Sequence, residues 1–175
     1  MASYNFPLGV SRHDPEFEKI LQIINSLRGY ETLEDLKRSD KQVRTYLAQQ
    51  LRKAADESAG ARESIEQGMH LQVLPDFDAL AGRIRACSDR LLGAGSGKIT
   101  ACKAYQPEPD PIRELYMLDY KILSGSENIY NLMQEFARID QEKLISSNIH
   151  KIDLSLRDIA RCMKKRAETI DCMLR

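Results

Sequence analysis

The chain has no surplus of charge of either sign: 26 Lys and Arg stand against 26 Asp and Glu in 175 residues. A protein devoted to nucleic acid or an anionic membrane usually carries a basic excess, because neutralising phosphate supplies most of that binding. The balance therefore disfavours both partners, although a local basic patch stays open. Long apolar runs are also missing. The longest are a few residues, far short of the ~18 needed to cross a bilayer. Residues Met1 to Val10 have neither a basic start nor an apolar core, so we expect no secretory signal. The four Cys show no short paired spacing, which fits a reducing cytoplasm. Cys162 and Cys172 are ~15 Å apart along a helix, too far to bridge each other. No segment alternates apolar and polar residues with β-branched enrichment, so no sheet is expected. Metal chemistry lacks a motif as well. The three His are scattered, and no Glu-x-x-His of the di-metal bundle type occurs. We expect no cofactor and no metal.

Helical periodicity is what the sequence has in abundance. Residues 1–13 lack it and are expected to form a flexible arm. Asp14-Pro15 reads as an N-cap followed by a first-turn Pro. Phe17, Ile20, Leu21, Ile24 and Leu27 follow at helical spacing, up to Gly29. A second helix should start near Thr32 and run for about 37 residues at most, through Leu36, Val43, Leu47, Leu51, Ala54, Ser58, Ala61, Ile65 and Met69. Its small residues between 54 and 61 predict close approach by a neighbour, and Pro75 ends it. A third helix is expected from about Asp76 to Leu92. Three Gly and two Pro between 93 and 109 mark the main non-helical connection. Its Gly-x-Gly-Lys ending departs from a phosphate-binding loop: Leu92 and Ile99 occupy places that need Gly and Ser or Thr, and a helix precedes it.

Asp110-Pro111 opens a fourth helix. Ser124-Gly125-Ser126 is expected to end it. From there to Leu174 no Pro or Gly occurs, which predicts one helix ~70 Å long. Its apolar seam reads Ile145, Ile149, Ile152, Leu156, Ile159, Met163, Ala167, Ile170 and Leu174. The two halves of the chain share a layout of short helix, Gly and long helix at an offset of 96 residues. The layout raises a two-part pseudo-repeat, 14–92 and 110–175, although helix caps coincide often by chance.

The expected fold is all-α: an elongated antiparallel bundle of four to five helices with a long C-terminal helix, a single domain over 14–175. The final helix outreaches the third, so part of its seam calls for a partner, most simply a second copy of the chain. The expected function is that of a non-enzymatic adaptor, scaffold or regulatory subunit. Tyr116, Met117, Tyr120, Tyr130 and Met133 form its adaptable contact surface, together with the seam residues Ile159, Met163 and Ile170. Packing of the same residues into the core is the competing reading. Two other functions remain open. One is docking to nucleic acid through Arg161, Lys164, Lys165 and Arg166, against which stands the interleaving of acids with every basic cluster. The other is a small-molecule or metal-binding bundle with a cavity between its helices.

Overall fold

The structure, a computed structural model, describes Ile20 and residues 33–93 and 111–173. The expected arm, the helix from Asp14-Pro15 apart from Ile20, the caps at Thr32 and Asp110, and almost all of the 93–109 connection lie outside the described residues. Among the described residues, four helices follow in order: α1 (Leu33–Gln67), α2 (Leu74–Gly93), α3 (Pro111–Glu135) and α4 (Glu142–Met173). Short 3-10 turns at Leu71–Val73 and Phe136–Arg138 precede α2 and follow α3. The fold is an all-α bundle, with no strand among the described residues.

The apolar stripe of α1 is the predicted one as far as Ile65; Met69, expected to continue it, lies past the helix end and is exposed. Leu47, Leu51, Ala54, Ala55, Ala61 and Ile65 are buried, and α2 runs antiparallel along them. Where the stripe is made of small residues, Arg85 of α2 reaches across. It donates to Ser58 Oγ at 2.8 Å and to the Ala55 carbonyl at 3.3 Å. Nearby, Ser88 Oγ donates to the Ala48 carbonyl at 3.0 Å. α1 ends in a Schellman turn: the His70 amide bonds to Ile65 O and the Met69 amide to Glu66 O. The left-handed position is taken by Met69, at φ 60°, and not by the adjacent Gly68. Gly68 is needed for another reason. A Cβ there would lie 2.9 Å from the His70 ring.

Two sequence expectations are corrected. The helix that opens at Pro111 passes through Gly125 without a break and continues to Glu135. The chain reverses at 136–141 instead, where Ile139 is extended. The reversal lays α4 antiparallel on α3. Phe136 is buried there, with its ring edge-to-face on Phe77 at 5.1 Å between centroids. α4 therefore has 32 residues, ~48 Å in place of the expected ~70 Å. The helix packed along it is α3, of 25 residues, with a smaller contact from α2. The ~70 Å length on which the expected partner rested is gone. So is the second half of the repeated layout, because Gly125 separates no short helix from a long one.

Gly125 does have a structural task. A Cβ placed on it would stand 3.2 Å from Ile159 Cγ1, so its absence lets α3 and α4 come close.

The core has two parts. The larger joins Leu47, Phe77, Leu80, Ile129, Phe136, Ile145 and Ile152 near the reversals. The smaller joins Ile20, Leu36, Val43, Leu115, Leu123 and Ile170 at the other end.

Candidate functional site

At the level of the smaller cluster, three helices each place charged side chains along their apolar stripe. α1 supplies Asp40, one turn from Leu36 and three residues before Val43. α3 supplies Glu114 and Asp119, beside Leu115 and Ile122. α4 supplies Lys165 and Arg166, followed by Thr169. Arg166 is 1 % exposed and Asp119 is fully buried. Arg166 Nε donates to Asp119 Oδ1 at 2.6 Å, and its Nη1 donates to Asp40. Asp40 also accepts from Arg44 Nε at 2.9 Å. One turn further, Glu114 receives Lys165 Nζ at 2.6 Å on one oxygen and Thr169 Oγ1 at 3.0 Å on the other.

Three carboxylates thus meet three cations, and the cluster is neutral. Planar guanidinium groups suit this bridging, because their donors are fixed in a fork that spans two carboxylates. Ions withdrawn from water are tolerated only when paired and hydrogen-bonded in this way. The cluster ties α1, α3 and α4 together in one register.

Beside it, between α3 and α4, lies an open cleft of about 610 Å³. Its apolar side is built by Leu118, Gly125 and Ile159, where the two helices approach most closely. Lys121, Arg161 and Lys165 bring positive charge to it, and Asp158 is the one acid. The Cys162 thiol also lines it. Burial pushes its pKa up, and the charges of Lys121, Arg161 and Lys165 each pull it down less strongly.

Half of the residues expected at a partner surface are inside. Tyr116, Met133, Ile159 and Ile170 are buried in the two core clusters, while Met117, Tyr120, Tyr130 and Met163 are half-buried. The competing core reading describes the first four. The basic quartet divides in the same way. Arg166 is interior and Lys165 is held by Glu114, which leaves Lys164 outward beside Glu168 and Arg161 exposed at the rim of the cleft beside Asp158. The seam of α4 shifts accordingly: Arg166 is buried and Ala167 is only half-buried.

Exposed apolar side chains occur elsewhere. Met69 (73 % exposed), Leu71 (51 %) and Leu144 (49 %) sit at the end of the bundle where α1 turns into α2 and α4 begins. Gln72 hydrogen-bonds Glu142 there, which ties the turn to the start of α4, while His70 Nε2, 3.5 Å from Asp140, makes no hydrogen bond. Sequence reasoning missed this end because Met69 read as the tail of the α1 stripe.

Among the described residues no group of three or more His, Cys, Asp and Glu is placed to hold a metal ion, and no helix is long and apolar enough to cross a membrane. No protein-family model, no curated protein and no solved structure matches this chain.

Proposed function

We propose that this chain is a non-enzymatic interaction protein, a helical bundle that docks through its reversal end to a protein partner, most simply a second copy of itself. The observation that carries the reading is the exposed trio Met69, Leu71 and Leu144 on a turn fixed by polar contacts. A rigid apolar end loses little entropy on docking. The zero net charge leaves no long-range repulsion between copies. Of the tyrosine and seam residues first expected to make the contact, Tyr116, Ile159 and Ile170 are interior and Tyr120, Tyr130 and Met163 half-buried, whereas the reversal end carries exposed apolar side chains. The basic-cluster reading is weakened by the burial of Arg166 and the pairing of Lys165.

Sedimentation velocity over a hundredfold concentration range tests this. Wild type should show reversible dimerisation. Replacing Met69, Leu71 and Leu144 together by Ser should weaken it about tenfold or more, with helicity unchanged. A wild-type monomer at every concentration rules out the self-docking form of the proposal.

A further inference from the structure

The α3–α4 cleft lies away from the reversal end and is independent of the docking reading. Its volume falls within the ~300–1,000 Å³ usual for small-molecule sites. Ser124 lines it with a hydroxyl that is buried and has no hydrogen-bond partner among the described residues. A hydroxyl in a helix ordinarily bonds back to a carbonyl one turn earlier, as Ser64 does to Gly60 O at 3.0 Å. Ser126, on the neighbouring face, donates to Leu123 O at 2.7 Å. Ser124 alone of the three keeps its donor unused, and an unsatisfied buried polar atom needs an explanation.

Charge supplies the second observation. The lining carries three cations and one carboxylate in a protein whose total is zero. Asp158 is 3.4 Å from Arg161, and Lys165 is held by Glu114 from outside the cleft. Lys121 has no ion-pair partner among the described residues. Lys121, Asp158, Arg161 and Lys165 all act on the Cys162 sulfur, and the pull of Lys121 is the strongest of the four charges. Beside them the lining is aliphatic, with the bare backbone of Gly125 opening the space that a side chain would fill.

We propose that this cleft binds a small amphipathic organic anion. Its acidic head sits near Lys121, Arg161 and the Ser124 hydroxyl, and its apolar body lies on Leu118, Gly125 and Ile159.

The full chain should be titrated with 8-anilinonaphthalene-1-sulfonate, followed by fluorescence. The expected result is saturable binding at one site, displaced by decanoate and not by decyltrimethylammonium. Lys121→Glu should weaken it about tenfold and Ser124→Ala about threefold. Lys164→Glu, on the outward side of α4, should leave it unchanged. Decanoate should also slow iodoacetamide labelling of Cys162, read by peptide mass, in wild type and much less in Lys121→Glu. Circular dichroism confirms that each variant is folded. The proposal is overturned by non-saturable binding, by equal affinity in Lys121→Glu, or by equal displacement with the cationic amphiphile.

Discussion

Met69 holds a backbone conformation that glycine would take more readily. A side chain at φ 60° costs ~1–2 kcal/mol, while glycine brings a freer unfolded chain that returns about half of that gain. Met69→Gly should therefore raise stability by about 0.5–1 kcal/mol, measured as a higher urea midpoint at constant slope. The same change removes the most exposed apolar side chain, so it should weaken self-association while strengthening the fold. Only a docking residue gives effects of opposite sign. Cys87 offers a residue-scale test against pH. Burial raises its thiol pKa above the usual 9.0, which outweighs the opposing pull of Arg90. The folded state thus holds this proton more tightly than the unfolded chain. Its contribution is complete below pH 9 and is lost as pH rises through the raised value. Cys87→Ala should flatten the decline of unfolding free energy above pH 9, at some cost in packing at neutral pH.

At the scale of elements, the buried ion pairs decide how α1, α3 and α4 match. Asp119→Ala leaves Arg166 with part of its charge uncompensated in the interior. It should cost ~3–5 kcal/mol, against well under 1 kcal/mol for the exposed Lys164→Ala. Asp119→Leu combined with Arg166→Met removes both charges and leaves Asp40 its contact with Arg44. The double variant should recover most of the loss in chemical denaturation. A double variant as damaged as the single one would show that shape, and not charge burial, sets the cost.

The same elements show what was legible in the sequence. α1 and α2 were readable almost to the residue, because their stripes are aliphatic and Pro75 and the Gly-rich 93–97 stretch punctuate them. The end of α3 was not. Gly125 looked like a stop, yet a glycine inside a helix costs only ~1 kcal/mol. Here it is outweighed by the packing of Ile159 against it. The true reversal has no Pro or Gly. It is set by the burial of Phe136 and of the α4 stripe from Ile145 to Ile159 against α3, each side chain worth ~1.5–3 kcal/mol. Arg166 was hidden because a run of basic residues reads as a solvated face, and nothing local announces a carboxylate on another helix. The one local sign was Asp119, an acid at a position where Leu118 also fitted the stripe.

For the whole molecule, the two apolar clusters and the charged level give its ends different characters. The reversal end shows three exposed apolar side chains among polar ones and is aromatic inside. The other end carries the neutral charge cluster and the cleft beside it. The two proposals therefore separate in experiment. Serine substitutions at Met69, Leu71 and Leu144 should leave the binding of 8-anilinonaphthalene-1-sulfonate unchanged. Lys121→Glu should leave sedimentation unchanged. Cross-effects in either direction would mean that the ends are coupled through α4, the helix that runs between them.

Asp40 and Arg166 are separated by 126 residues. At ~5–20 residues per second, a ribosome delivers Arg166 roughly 6–25 seconds after Asp40. Through that interval Asp40 has only Arg44, its neighbour on the same helix, and Asp119 waits without its guanidinium. A level that needs residues 126 positions apart cannot close until α4 has been made. The order of synthesis thus leaves α1 and α3 without their third partner at this level until α4 has emerged.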